Sequence, residues 1–355
     1  MITGNLKSSY TADESVFNNR NKWAFFIGAL LLLAGIAAFA NDYVVLIACK
    51  MGILLIAVVG VNVVTGYTGL ISLGHAAFVA VGAYSVTIFH GLAGPALPEG
   101  ILPFLAIPFA VAVSAIVGLI VGLPSVRIKG LYLAVATLSA NFIVIFLIEQ
   151  DLFAPWTGGM VGVDTPTANL LGWEIDTRRE NFILIAIFSV LALLAVQNLF
   201  RTRVGRAFIA IRDRDYSAEI MGISLLRYKL TSFAISAALC GLSGALFAYF
   251  YARILPEQFE LALSLELVAA LIVGGMGRTM GPVFGVFVIV LVPELIKSLF
   301  GLATGGDAST GQLLAPLQDI AFGLLIVLFL LFEPLGLNHV ADRTLRAMNR
   351  WPFAR

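Results

Sequence analysis

The chain has 355 residues, of which 60% are hydrophobic and only 12% charged, about half the charged share of an ordinary soluble domain. Mean hydropathy is +0.97, which excludes a soluble globular fold. A net charge of +1 offers no overall field for nucleic acid, so only the distribution of charge carries information.

Residues 1–22 are polar and predict a cytoplasmic tail; the apolar run behind them is full-length, so it is expected to stay as an anchor rather than be removed as a leader. Apolar runs near 20 residues predict spans at about 23–40, 43–65, 69–90, 101–123, 130–149, 181–200, 230–252, 264–280, 282–299 and 313–332. The expected fold class is therefore all-α: a polytopic integral membrane protein with about ten transmembrane or re-entrant helices. Its membrane domain covers 23–333, and a basic tail follows at 334–355. Gly281-Pro282 divides one long run, so 264–299 reads either as two full spans or as a re-entrant pair. With the N-terminus inside, 17 Lys/Arg collect on one side and 4 on the other, with Lys50 left within a span. That bias predicts both termini in the cytoplasm.

The stretch TGYTGLISLGH at 65–75 places Thr65, Tyr67, Thr68, Ser72 and His75 among Gly66, Gly69 and Gly74 at membrane depth. So many polar groups in hydrocarbon need internal partners or a watery cavity, which predicts a broken helix beside a pathway. The run VGGMGRTMGPVFG at 273–285 has a similar glycine density, with Gly274, Gly275 and Gly277, and hints at an internal repeat. Taken singly, these glycines read first as helix-packing positions.

The longest outside loop, 150–180, carries Trp156 and Trp173, which serve either as interfacial anchors or as a docking surface for an external partner. On the other side lies a polar island, 201–229, with seven Lys/Arg and three acids interleaved with apolar residues. Asp213 and Asp215 sit where an N-cap or first-turn acid belongs, and Gly222 where a helix can stop. These signals predict a helix of about two turns at 214–221, held at the membrane surface by basic flanks. Such a helix either docks into a partner's groove or simply lies on the bilayer.

Ionisable groups within the spans are few: Lys50, His75, Glu149, Glu266, Glu294 and Asp319. Glu149, Glu294 and Asp319 fall near span ends, where capping or snorkelling explains them. Lys50 reads as a snorkelling lysine or a pathway charge, His75 as a pathway or interhelix hydrogen-bonding group, and Glu266 as a helix-start acid or a pathway acid. Enzymatic chemistry lacks support. There is no GxxxxGK[ST] phosphate loop and no HExxH or CxxC, and Cys49 and Cys240 lie in apolar runs with no metal or disulfide spacing. The GLSG at 241–244 resembles a membrane-protease serine turn only superficially.

Several stretches, in order, resemble the membrane permease subunits of branched-chain amino acid ABC importers, of the M type in the H/M pair. They are GYTGLISLGHAAF at 66–78, YLAVATL at 132–138, Thr157-Gly158-Gly159 with Gly162, and Val204-Gly205-Arg206-Ala207; then Ala218-Glu219 with Gly222, GLSGA at 241–245, and Gly274-Gly275-Met276-Gly277 with Gly281-Pro282. The likeness runs in register from about 43 to 333. It departs from the pattern at Tyr216-Ser217, where many importers place an alanine-rich, acid-preceded segment. The resemblance implies half of a permease heterodimer in a bacterial inner membrane, paired with a second homologous permease. It further implies two cytoplasmic ATPases, which carry the ATP and Mg, and a soluble binding protein that delivers the small-molecule substrate; this chain itself would need no cofactor. It assigns the island to ATPase coupling, with Arg206, Arg212, Asp213, Asp215, Ala218, Glu219 and Gly222 as candidates. The pathway candidates are Asn62, Thr65, Tyr67, Ser72, His75, Thr137 and Glu266. Two other readings stay open: a related permease for urea, short amides or small organic solutes, and an ion-coupled secondary transporter built around Glu266.

Overall fold

The computed structural model describes residues 20–304, apart from 95–97, 99, 129, 171–172 and 176, together with scattered positions between 320 and 339. The ends of both tails lie outside the described residues, as do Asp319 and most of the span expected at 313–332. Ten helices organise the rest: α1 (Arg20–Phe39), α2 (Asp42–Val61), α3 (His75–Ala93), α4 (Leu102–Gly122), α5 (Leu131–Glu149), α6 (Arg178–Leu199), α7 (Arg203–Ile220), α8 (Leu225–Phe250), α9 (Leu261–Gly274) and α10 (Gly281–Thr304). Among the described residues, seven stretches are long and apolar enough to cross a membrane, and each falls on a predicted span. The protein is an all-α polytopic membrane protein.

Two predicted boundaries move. The span expected at 69–90 begins only at His75, because α2 runs into a π-helical turn, Asn62–Tyr67, and the chain is then irregular as far as Gly74. The pair at 264–299 consists of a 14-residue helix, α9, and a 24-residue helix, α10. At 1.5 Å per residue α9 is about 21 Å long, short of the ~30 Å hydrocarbon layer. It stops at Gly275, whose φ of +109° leads the chain out of the helix.

Helix α8 is the axle of the fold, with α4, α3 and α2 packed along it. Close approach depends on missing side chains: a Cβ at Gly82 would come within 2.3 Å of the Gly241 carbonyl oxygen, and one at Gly244 within 2.0 Å of that of Val79. A second set of contacts is polar. Ser236, Cys240 and Ser243 lie on one face of α8 and donate to the carbonyls of Gly60, Ala57 and Ile53 on α2, at 2.6, 3.7 and 2.7 Å. Both cysteines are free and buried, as their apolar settings predict. α2 also packs on α6, while α9 and α10 form an antiparallel hairpin against α2.

The loop at 150–180 is structured. It contains one helical turn, Ala154–Thr157, and the strands β1 (Val163–Asp164), β2 (Ala168–Leu170) and β3 (Trp173–Ile175). β2 and β3 form a hairpin, and β1 pairs with β4 (Arg253–Ile254) at the end of α8. Arg253 reinforces this pairing by donating to the Val161 carbonyl at 2.9 Å and by an ion pair with Asp164.

Candidate functional site

Helix α7 differs from its sequence-based expectation. It starts at Arg203, capped by Thr202, eleven residues before the predicted start, and it has an extended break at Arg214 (φ −158°, ψ 98°). The first half does not rest on the bilayer. Phe208 is fully buried and packs with Val59 of α2, Val63 of the π turn and Val196 of α6, and Ile211 is buried as well. Beyond the break lies the short segment that the sequence does predict. Asp215 accepts the N–H of Tyr216 at 2.8 Å, and the helix stops at Gly222, whose φ is +86°. On this segment Ala218 is buried, Glu219 is exposed, and Tyr216, Ile220 and Met221 are 73%, 73% and 83% exposed.

The two glycine-rich breaks meet each other. Asn62, in the π turn, donates through Nδ2 to the Arg278 carbonyl at 2.9 Å and accepts the Gly277 N–H on Oδ1 at 2.9 Å. Its amide thus replaces backbone partners for the loop that follows α9. Tyr67 joins Thr279 through their hydroxyls at 3.2 Å and stacks on Phe200, ring centroids 3.4 Å apart. Glycine is required on both sides of this junction, since a Cβ at Gly66 would lie 2.5 Å from the Gly277 nitrogen.

Arg212 enters the same junction from α7. Its Nη1 donates to the Gly66 carbonyl at 3.1 Å, while Nε and Nη2 donate to Asp213 at 3.2 Å. The side chain lies in a cradle: a Cβ at Gly69 would meet its Cγ at 2.8 Å, and one at Gly277 its Nη1 at 2.6 Å. The break in α2–α3, the break in α9–α10 and helix α7 are therefore tied at one point. Arg206 stays exposed and donates to the Arg201 carbonyl at 3.3 Å.

Toward α3 the polar chain continues without contact with bulk water. Ser236 gives its hydrogen to Gly60, so it can only accept from His75 Nε2, 2.9 Å away. In the neutral ring Nδ1 is then the bare nitrogen and accepts from Ser72 at 3.3 Å. Donor counting therefore places a proton on Nε2. Thr137 accepts the Leu73 N–H at 3.0 Å, and a Cβ at Gly74 would strike the Thr137 carbonyl at 2.2 Å. Ser264 accepts the Ala76 N–H at 3.1 Å and so binds α9 to the start of α3. A Cβ at Gly274 would come within 1.9 Å of the Gly281 carbonyl, and Gly275 turns between them.

Of the pathway candidates, Asn62, Tyr67, Ser72, His75 and Thr137 thus belong to a buried lock, and the Thr65 hydroxyl is buried without a partner among the described residues. Glu266 stands apart. It lines a cavity of about 260 Å³ together with Lys50. Sequence reading missed Ser236, Ser264 and Thr279. The serine–cysteine spacing 236, 240, 243 on one helical face was the available signal for the first; the other two depend on contacts more than 180 residues away in sequence.

The profile of the family described as "Branched-chain amino acid transport system / permease component" matches residues 43–330. The high-affinity branched-chain amino acid transport system permease protein LivM of Escherichia coli (strain K12) is 30% identical over 353 residues, 92% of this chain and 78% of the relative. The probable permease protein LivM of Methanocaldococcus jannaschii is 25% identical, covering 83% of this chain and 93% of the relative. The chain is also similar to LivH of Escherichia coli (strain K12), 26% identical over 79% of this chain and 89% of the relative. No solved structure gives a significant match. With a family profile spanning the described membrane helices and a relative at this identity along nearly its whole length, the chain belongs to the permease component family of branched-chain amino acid transport systems.

Proposed function

We propose that this chain is one permease subunit of an ATP-driven importer, forming half of the path for branched-chain amino acids across a bacterial inner membrane. Its similarity to both LivM and LivH relatives supports a partner permease related to itself. Two cytoplasmic ATPases dock on the loop that contains α7, and a soluble binding protein delivers substrate at the structured loop 150–180, where Trp156 is half exposed. ATP hydrolysis belongs to the partners.

The observation that carries this reading is the build of α7. Its first half is anchored in the core and reaches the junction of the two broken helices through Arg212, while the segment past Arg214 presents Ile220 and Met221 to the outside. A rigid element with a buried anchor and an exposed apolar tip suits transmission of a partner's two states to a bistable junction. The apolar tip also matches a helix-in-groove contact better than a surface left in water.

The test is co-purification of the ATPases with the permease pair. Ile220→Glu buries a charge in the proposed groove and leaves the membrane core untouched, so it should reduce ATPase retention at least tenfold while the two permeases stay together. Full retention by Ile220→Glu would contradict docking at this segment. Leucine uptake that continues without ATPases and follows an ion gradient would instead support a secondary transporter.

A further inference from the structure

The cavity beside Glu266 has a composition that neither the lock nor the docking helix explains. It lies between α2, α8 and α9, beneath the turn at Pro256–Phe259. Lys50 comes from α2 and Glu266 from α9, and among the described residues the two make no ion pair with each other. Both therefore present opposite charges to one space without neutralising each other at contact distance. Between them the wall is aliphatic, with Leu54, Leu263 and Leu267. Gln258 also faces the cavity; it spends its carbonyl oxygen on the Leu255 N–H at 3.1 Å, which leaves its amide hydrogens to donate.

In this chain Lys50 is exposed and Glu266 partly buried; at membrane depth a lysine and a glutamate that share a cavity without pairing are costly unless something compensates both. A ligand that carries an anion and a cation on neighbouring atoms, with an apolar remainder, would do so. The volume lies just under the ~300 Å³ at which pockets for drug-sized ligands begin, which suits something smaller. Depth agrees as well. Lys50 is eight residues along α2 from Asp42, about 12 Å, and Glu266 is five residues into α9, about 8 Å. Both positions lie on the half of the molecule that carries the β1–β4 pair, roughly 18 Å along α2 from Asn62.

We propose that Lys50 and Glu266 form a binding site for the zwitterionic head of an aliphatic α-amino acid. Lys50 takes the carboxylate, Glu266 takes the ammonium, Gln258 donates to the carboxylate, and the leucines receive the side chain. The site is a waiting position on the loop-150–180 side of the lock, and it rests on the transport reading.

The experiment uses the full complex in proteoliposomes, with the partner permease, ATPases and binding protein, and radiolabelled leucine. Two quantities are read: leucine uptake, and ATP hydrolysis stimulated by leucine-loaded binding protein. Lys50→Met and Glu266→Gln should each lower uptake at least tenfold and keep stimulated hydrolysis within twofold of wild type. Leu263→Trp, which fills the cavity and keeps both charges, should do the same, and it decides the matter if the charge variants fail to assemble. Uptake within twofold of wild type in these variants overturns the site. So does a parallel fall of uptake and hydrolysis in assembled complexes, which would make the residues part of coupling or of the fold. A wild-type complex with no leucine-dependent hydrolysis would refute the transport reading instead.

Discussion

At the scale of single residues, His75 shows what burial does to a histidine in a membrane protein. Its ring is fully buried, donates to Ser236 and accepts from Ser72, and thereby holds the start of α3 against α8. Replacing it by alanine leaves the Ser72 hydroxyl without its partner and opens a void. We expect His75→Ala to destabilise the subunit by about 1–3 kcal/mol, seen as a lower thermal midpoint of the purified permease pair; an unchanged midpoint would show that the hydroxyls find other partners. The sequence singles out His75 because it stands at the end of a polar, glycine-rich run. Its partner could not be read there, because Ser236 is 161 residues away on a helix that looks apolar. Asn62 is a similar case. An asparagine at membrane depth announces a need for partners, but only the fold shows that both ends of its amide serve the loop after α9.

At the scale of elements, hydropathy located the helices well, because a span must be long, apolar and internally hydrogen-bonded. The boundaries that moved are those where polar or glycine residues let the backbone leave the helix: Asn62–Gly74, and Gly275–Met280 between α9 and α10. Helix α7 was legible only in its second half. Its first half is rich in arginine, which reads as a surface feature, yet Phe208 inserts among α2, α6 and α8 and Ile211 is buried as well. The pairing of α8 with α2 has a further polar component in the Ser236, Cys240 and Ser243 contacts. Interhelical hydrogen bonds in membranes contribute about 0.6 kcal/mol each. Ser243→Ala should therefore lower stability by only about that amount, whereas Gly244→Ala, which drives a Cβ to 2.0 Å from the Val79 carbonyl, should cost about 1–3 kcal/mol. Denaturation of the two variants side by side checks the order: close backbone approach, more than the hydroxyl bond, holds the axle.

At the scale of the whole molecule, the described helices divide into a packed body and two breaks that meet at one junction. The body is α8 with α2, α3 and α4; the junction is where Gly66 touches Gly277 and where Arg212 arrives from α7. Junctions of this kind lack the continuous hydrogen-bond ladder of a helix and depend on a few side chains, so a small shift of one of them can change the junction's state. On the proposed function, the site of energy input (the exposed tip at Ile220–Met221) and the Lys50–Glu266 cavity lie on opposite sides of that junction. The most direct measurement is leucine uptake, with stimulated ATP hydrolysis, by proteoliposomes holding the complete complex with Arg212→Ala. The ATPases should remain bound, because the tip is intact. Uptake should fall at least tenfold, since the tie to the Gly66 carbonyl is lost, and Arg212→Lys should restore part of it. If Arg212→Ala takes up leucine at the wild-type rate, α7 does not act on the broken helices through this arginine, and coupling by that route is refuted.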